Sequence, residues 1–146
     1  MGSEMCIRDR SDVFSAMTVS ALGMKAQGTR LRVISENIAN AETYANTPGE
    51  DPYRRQIITF RNEMDREMGA QIVRVDSIRP DRKDPFILKY MPDHPGADAK
   101  GYVKTPNVNT LIELADMREA QRSYEANLGM IEQARGMMLR VIDVLR

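Results

Sequence analysis

The chain has no tryptophan, one cysteine and one histidine among its 146 residues. The single cysteine, Cys6, excludes an intramolecular disulfide framework and a zinc site built on cysteines. The single histidine, His94, excludes a multi-histidine metal site and makes a histidine-dependent catalytic triad improbable. Lysine and arginine number 21, as do aspartate and glutamate, so the formal net charge is zero. Proteins dedicated to nucleic acid normally carry a basic excess, and this composition disfavours that class.

Long apolar stretches are also missing. No run of consecutive apolar residues exceeds three, which excludes a membrane-spanning helix. No apolar segment follows the N-terminus, so we expect no Sec-type signal peptide. With 3 Phe and 5 Tyr against 11 Met, any large core must be mainly aliphatic.

The distribution of proline divides the chain into three parts. All 7 prolines lie within residues 48–106, and none lies in 1–47 or 107–146. Because proline breaks helix interiors, the two flanks are predicted to be helical and the middle is not. We therefore expect paired terminal helices over 11–47 and 107–146, around a small insertion at 48–106. Residues 1–10 lack periodicity and are predicted to form a disordered extension.

The N-terminal flank carries heptad spacing, typical of helices that pack along one another. Its large residues are Met17, Met24, Leu31 and Ile38. A row of small residues, Ala21, Gly28 and Ser35, accompanies them. Small residues would let another backbone approach closely, although glycine within a helix also simply weakens it, by about 1 kcal/mol relative to alanine. We further expect Asn40 to cap this helix and Asn37 to bond to another helix or subunit.

The C-terminal flank repeats the pattern over about 38 residues, a rod near 55 Å long at about 1.5 Å per residue. Thr110 and Glu113 have the spacing of a capping box, which predicts the start of this helix. One row consists of Leu114, Gln121, Leu128, Arg135 and Ile142, and the next of Met117, Tyr124, Ile131, Met138 and Leu145. Helices of this length with heptad rows are rarely self-contained, so we expect the chain to complete its core by assembling.

The middle contains three short β-type runs, Gln56–Phe60, Gln71–Val75 and Phe86–Tyr90. They predict a small, mostly β insertion, and a few strands alone are only marginally stable in water. The fold predicted for the whole chain is mainly α, with its two long terminal helices paired in a coiled-coil-like manner.

The sequence offers little for catalysis or ligand binding. Asp93, His94 and Asp98 could be imagined as metal ligands, but the segment rich in proline, glycine and aspartate is typical of a loop without metal. The basic residues of the middle alternate with acidic ones and form no phosphate-binding stripe. We predict no catalytic residues, no metal and no cofactor, and we expect neither nucleic acid nor a small-molecule substrate as a partner.

Several segments in chain order resemble flagellar basal-body rod proteins. Ser20–Gln27, Arg30–Leu31 and Asn37–Asn40 resemble the N-terminal signature of that family. Pro52–Gln56, Gly101–Asn109 and Glu119–Asn127 resemble, more narrowly, its proximal rod members. The resemblance covers about 11–146, whereas residues 1–10 match nothing in the family.

The resemblance implies a structural, non-enzymatic subunit of the proximal rod. Family members build a hollow, torque-transmitting tube across the periplasm, with terminal helices paired in its inner domain. Partners would be further copies of the chain, other rod proteins and the flagellar type III export apparatus, which such subunits use without a Sec signal. Phe60 and Met64 resemble the short element by which rod and hook subunits engage the export gate.

Two other functions remain open from the sequence. The chain could be a different flagellar axial subunit, although its middle segments argue against this. A cytoplasmic helical adaptor that binds partner helices would show similar heptad rows but would form a finite oligomer.

Overall fold

The computed structural model describes residues 2–144, and their side chains from residue 13 onward. The chain order is helix α1 (Gly2–Ala39), strands β1 (Gln56–Asp65), β2 (Ala70–Pro80), β3 (Ile87–Tyr90) and β4 (Tyr102–Thr105), and helix α2 (Thr110–Val144). Leu145 lies outside the described residues, as do Met1 and the side chains of the predicted extension. The packing of Leu145 stays a prediction. Helix α1 begins at Gly2, so the backbone of residues 2–10 is helical, whereas a disordered extension was expected there. Neither helix, over its described residues, is long and apolar enough to cross a membrane.

The prediction of a mainly α fold is wrong. Helices do occupy both ends, but the middle holds four strands of 10, 11, 4 and 4 residues in two small antiparallel sheets. The fold therefore combines α and β structure. The apolar runs located β1, β2 and β3 but underestimated the length of the first two, since these continue through polar residues.

Strands β1 and β2 form a two-stranded sheet closed by a tight turn. The Asp65 carboxylate accepts hydrogen bonds from the Glu67 and Met68 amides, and Gly69 adopts a positive φ of 63°. Cross-strand polar pairs accompany the ladder: the Thr59 and Ser77 hydroxyls lie 2.8 Å apart, and Arg74 Nε lies 3.3 Å from a Glu63 oxygen. Such pairs stabilise a sheet where the strands lack alternating apolar residues. The hydrophobic pattern therefore did not predict the full length of these strands.

Strands β3 and β4 pair antiparallel, from Ile87 opposite Thr105 to Tyr90 opposite Tyr102. The rings of Tyr90 and Tyr102 meet edge to face with centroids 5.4 Å apart. Strand β4 was not predicted, because only one of its four side chains, Val103, is buried and no apolar alternation precedes or follows it.

The loop between β3 and β4 is held by Asp98. Its carboxylate accepts hydrogen bonds from the backbone amides of Tyr102 and Lys100, at 2.9 and 2.8 Å. These two bonds lower the pKa of Asp98 below its ordinary value. The loop is therefore ordered by its own backbone and carboxylate.

The chain divides into two compact units. The first comprises Met1–Arg30, Phe60–Asp76 and Glu119–Arg146, and the second comprises Leu31–Thr59 and Ser77–Arg118. Among described side chains, the buried residues of the first unit are mostly small: Ser20, Ala26, Ile72, Ala120 and Ala134. The second unit buries Val33, Ile34, Ala45 and Val103 together with the polar residues Asn37, Asp81, Asn107 and Glu113.

Candidate functional site

The second unit contains an ion pair whose carboxylate is buried. Arg55 Nε donates a hydrogen bond of 2.6 Å to Glu113 Oε1, and the Glu113 side chain is only 1% exposed. Arg55 also lies 3.7 Å from a carboxylate oxygen of Asp116. Arg55 precedes β1 and Glu113 belongs to the first turn of α2, so the pair joins the insertion to the C-terminal helix.

Asn37 extends this pair to helix α1. Its amide nitrogen donates to Glu113 Oε2 at 3.1 Å and to the Gln56 carbonyl at 2.9 Å. Its amide oxygen accepts from the Tyr53 hydroxyl at 2.9 Å and the Gln56 amide at 2.8 Å. We call Asn37, Tyr53, Arg55, Gln56 and Glu113 the polar junction, since they connect both helices to the segment before β1.

Tyr53 has a raised pKa at this position. Partial burial of its hydroxyl is the main cause, and the negative charges of Glu36 and Glu113 add to it. The neutral hydroxyl is thus the form that the junction favours, and it is the form that donates to Asn37.

Asn107 ties a further strand end to the same segment. Its amide oxygen accepts from the Arg55 amide at 2.9 Å, and its nitrogen donates to the carbonyls of Asp84 and Asp81 at 3.2 and 3.4 Å. The Asp81 amide in turn donates to the Arg55 carbonyl at 2.7 Å. The chain before β1, after β2 and before α2 is therefore fixed at one point.

Helix α2 begins differently from the expected capping box. The Asn109 side chain accepts from the amides of Leu111 and Ile112, so Asn109 occupies the position predicted for Thr110. Glu113 does not reach back to the cap but accepts from Arg55 and Asn37. At the other helix, Asn40 donates to the Glu36 carbonyl at 2.8 Å and thereby covers the end of α1.

The predicted large row of α1 is half-buried in the single chain. Met17, Met24, Leu31 and Ile38 all keep part of their surface exposed. The fully buried positions of this helix are Ala26, Val33, Ile34 and Asn37, with Ser20 near its middle. At Gly28, a member of the small row, an added Cβ would meet nothing within 4 Å among the described residues outside the adjacent turns of its own helix. Gly23 instead approaches Asn127 closely, at 3.0 Å from its amide nitrogen.

The predicted rows of α2 divide into two sets. Met117, Tyr124, Ile131 and Met138 are half-buried, whereas Leu114 and Leu128 are 45% and 40% exposed. The positions that this helix buries completely are Glu113, Ala120 and Ala134. Its C-terminal half leaves further large apolar residues exposed: Met130, Met137, Leu139, Val141, Ile142 and Val144. Exposed large apolar residues in this number on one helix point to contacts with other proteins.

Phe60 and Met64, the predicted export element, both lie on β1. They are four residues apart and so face the same side of the strand. Both are exposed, at 38% and 58%. Their surface is thus accessible on the folded chain.

His94 takes part in local packing. Its Nδ1 atom accepts a hydrogen bond from the Gly96 amide at 3.1 Å, and its ring meets Tyr44 edge to face. The described residues contain no group of three or more histidine, cysteine, aspartate or glutamate side chains arranged to hold a metal ion.

Sequence reasoning missed most of the polar junction. Asn37 was expected to bond across helices, and Glu113 was assigned to a cap. Tyr53, Arg55 and Asn107 were noted only within segments that resemble a family. Those segments did contain a sequence signal for the junction, since polar residues beside helix ends are candidates for directional hydrogen bonds.

Comparison with known proteins identifies several relatives. Residues 99–144 match the family model described as flagellar basal body rod FlgEFG protein C-terminal. The chain is 50% identical over 132 residues to the flagellar basal-body rod protein FlgC of Agrobacterium fabrum strain C58, covering 90% of this chain and 94% of that protein. It is 41% identical to the FlgC protein of Borreliella burgdorferi, covering 92% and 98%. With the FlgC protein of Salmonella typhimurium the identity is 34%, covering 86% and 92%.

Proposed function

This chain belongs to the flagellar basal-body rod proteins of the FlgC type, and from that premise we propose how it acts as a structural subunit of the proximal rod. Subunits polymerise through their terminal helices, and the resulting tube transmits torque. The role is mechanical and involves no catalytic residue or cofactor. Its partners are further copies of the chain and other rod proteins of the basal body.

The observation that carries this proposal is the exposed apolar surface of α2. Several large apolar residues of α2 are exposed on the single chain: Leu114, Leu128, Met130, Met137, Leu139, Val141, Ile142 and Val144. Neighbouring subunits in a rod would cover this surface and remove it from water, at about 25 cal/mol per Å² of apolar area. The half-buried row of α1 offers similar surface in the same assembly.

The test places a charge on this surface at Leu128. Because Leu128 is 40% exposed, Leu128→Asp leaves an aspartate in contact with water on the single chain, and we expect the helix content of the purified subunit to stay unchanged. Between subunits the same carboxylate would be buried without a partner, at a cost of several kcal/mol that recurs in every subunit. We expect no rod in purified basal bodies and no swimming.

The control is Glu132→Ala, at an exposed position of α2 outside the two predicted heptad rows. Cells with this variant should swim nearly as the wild type does. Wild-type swimming with Leu128→Asp would refute the assignment of this surface. Retention of that variant in the cytoplasm would show instead that the substitution affects export.

The route to the periplasm is the second part of the proposal. The subunit leaves the cytoplasm through the flagellar type III apparatus, without a Sec signal peptide, and Phe60 with Met64 engages the export gate. Their exposure on one face of β1 supports this role.

Export can be measured apart from assembly in cells that lack the other rod proteins. Replacing both residues, Phe60→Ser with Met64→Ser, should leave the subunit in the cytoplasm. Ile78→Ser is the control, since Ile78 is similarly exposed on the neighbouring strand β2. Normal appearance of the double variant in the periplasm would contradict the export role without affecting the rod assignment.

A further inference from the structure

The first turn of α2 buries a charge and exposes its apolar residues. Glu113 is 1% exposed, whereas its neighbours Leu111 and Ile112 are 76% and 53% exposed. In most amphipathic helices the buried face is apolar and the charged face is solvated. Here the start of α2 is anchored in the second unit by a carboxylate.

Each oxygen of the Glu113 carboxylate accepts a directional hydrogen bond. One oxygen accepts from Arg55 Nε and the other from the Asn37 amide nitrogen. Asn37 is itself fixed, because its oxygen accepts from the Tyr53 hydroxyl and the Gln56 amide. A shift of α2 by one turn, about 5.4 Å, would break both bonds to Glu113.

Apolar contacts do not provide this selectivity. In the second unit Glu113 is the only described residue of α2 that is fully buried, so no buried large apolar side chain of this helix opposes a shift along α1. A buried ion pair is a poor source of net stability, because its desolvation offsets its attraction. Its best-attested role is to select one register among several.

We propose that Asn37, Arg55 and Glu113 form a register lock that holds the end of α1 and the start of α2 in one alignment. The lock acts within the single chain and does not depend on assembly. It predicts that apolar residues at Arg55 and Glu113 leave the helices formed but free to adopt a second alignment.

The test measures distances between the two helices in dilute subunit. Spin labels are attached at Ala39→Cys and Arg118→Cys, two exposed positions of the second unit that are offset from each other along the helices, in a chain with Cys6→Ser to remove the native thiol. Double electron–electron resonance on the otherwise unchanged protein should give one narrow distance population. The variant Arg55→Met with Glu113→Leu should give a second population at a different distance, because a slip of one turn moves the two labels along the helix axis relative to each other.

Glu113→Gln provides a second test of the lock. It keeps the shape of the side chain but places an amide nitrogen, a donor, opposite a donating nitrogen of either Asn37 or Arg55, whichever way the amide is oriented. We expect a second population here as well. If this variant fails to fold, the Arg55→Met, Glu113→Leu variant alone decides the question.

Glu119→Gln is the matched control, since it removes a carboxylate from the same helix at an exposed ion pair with Arg30. Its distance distribution should equal that of the parent. A single population at the native distance in either folded lock variant would overturn the proposal. So would loss of the helical circular dichroism signal in the Arg55→Met, Glu113→Leu variant, because a group that only selects register is not needed for the helices to form.

Discussion

At the scale of residues, the interior of the second unit depends on side chains that satisfy one another. Asn37 uses both ends of its amide, and Glu113 uses both carboxylate oxygens. Leaving a buried donor or acceptor without its partner costs about 1–3 kcal/mol, so each substitution in the junction affects the neighbours as well. Tyr53 lies at the edge of this network, so a single substitution there tests one of its hydrogen bonds.

Tyr53→Phe removes the hydroxyl that donates to Asn37, and we expect the free energy of unfolding to fall by about 1 kcal/mol near neutral pH. The raised pKa of Tyr53 adds a pH dependence. Above pH 10, the ordinary tyrosine value, the unfolded chain releases this proton before the folded chain does, so stability decreases as the pH rises. That part of the decrease should be absent from the variant.

Denaturant titrations of both proteins between pH 7 and 11 measure this difference. Tyr90→Phe serves as the control, because the Tyr90 ring is 64% exposed. An identical pH profile for the parent and Tyr53→Phe would contradict the assigned effect of burial and of the carboxylates on Tyr53.

At the scale of elements, the faces of the helices are set by which neighbour each residue meets. Both long helices occur where the distribution of proline predicted them, but the residues they bury completely are mainly small or polar. Leu114 and Leu128 lie on exposed surface, so periodicity alone did not identify the buried face of the single chain. Heptad spacing shows that a helix has an apolar side without specifying which part of it is covered by the same chain.

Two glycines inside α1, Gly23 and Gly28, give a paired test, because their surroundings differ. Gly28→Ala adds a methyl group in open space and removes the helix cost of glycine, so the subunit should become more stable by up to about 1 kcal/mol. Gly23→Ala places its methyl group 3.0 Å from the Asn127 amide nitrogen, so part of the same gain is lost to displacement of that side chain. Thermal unfolding of the two variants checks the order, and a larger gain from Gly23→Ala would contradict it.

At the scale of the whole molecule, buried contacts are unevenly distributed between the two units. The second unit contains the polar junction and the strand ends fixed by Asn107, whereas the buried side chains described in the first unit are mostly alanine and serine. Local opening is easiest where few apolar contacts are buried. In the single subunit, we therefore expect amide hydrogens of the second unit to exchange more slowly than those of the first.

Native-state hydrogen exchange on dilute subunit provides that measurement. We expect the slowest exchange at the amides of Arg55, Gln56 and Asp81, which donate within or beside the polar junction. The outer parts of both helices should exchange quickly, because isolated helices gain most of their stability from tertiary contacts. Strong protection of those helix ends in a sample without oligomers would contradict this expectation.

Residues 1–10 provide a separate prediction at this scale. They resemble nothing in the family and carry no periodicity, so their deletion should leave both rod assembly and swimming unchanged. Motility on soft agar with the shortened chain tests this directly. Loss of motility from the deletion alone would show that the segment is required.

The sequence by itself determined that a long helix lies on each side of a middle region with strands. Confinement of proline to residues 48–106 and heptad spacing on either side are local signals, and helix formation obeys local constraints. The segments resembling rod proteins also indicated the family, which the relatives confirm.

Only the tertiary structure decided the strand lengths, the pairing of β3 with β4, and the burial of Glu113 instead of Leu114. Each of these depends on partners distant in sequence: Arg74 opposite Glu63, Tyr102 opposite Tyr90, and Arg55 beside Glu113. A charged residue in the first turn of a helix reads as solvent-exposed until the chain brings a guanidinium and an amide against it. Whether a residue is buried depends on all the residues that contact it. The periodicity of one segment carries no information about partners that are distant in sequence.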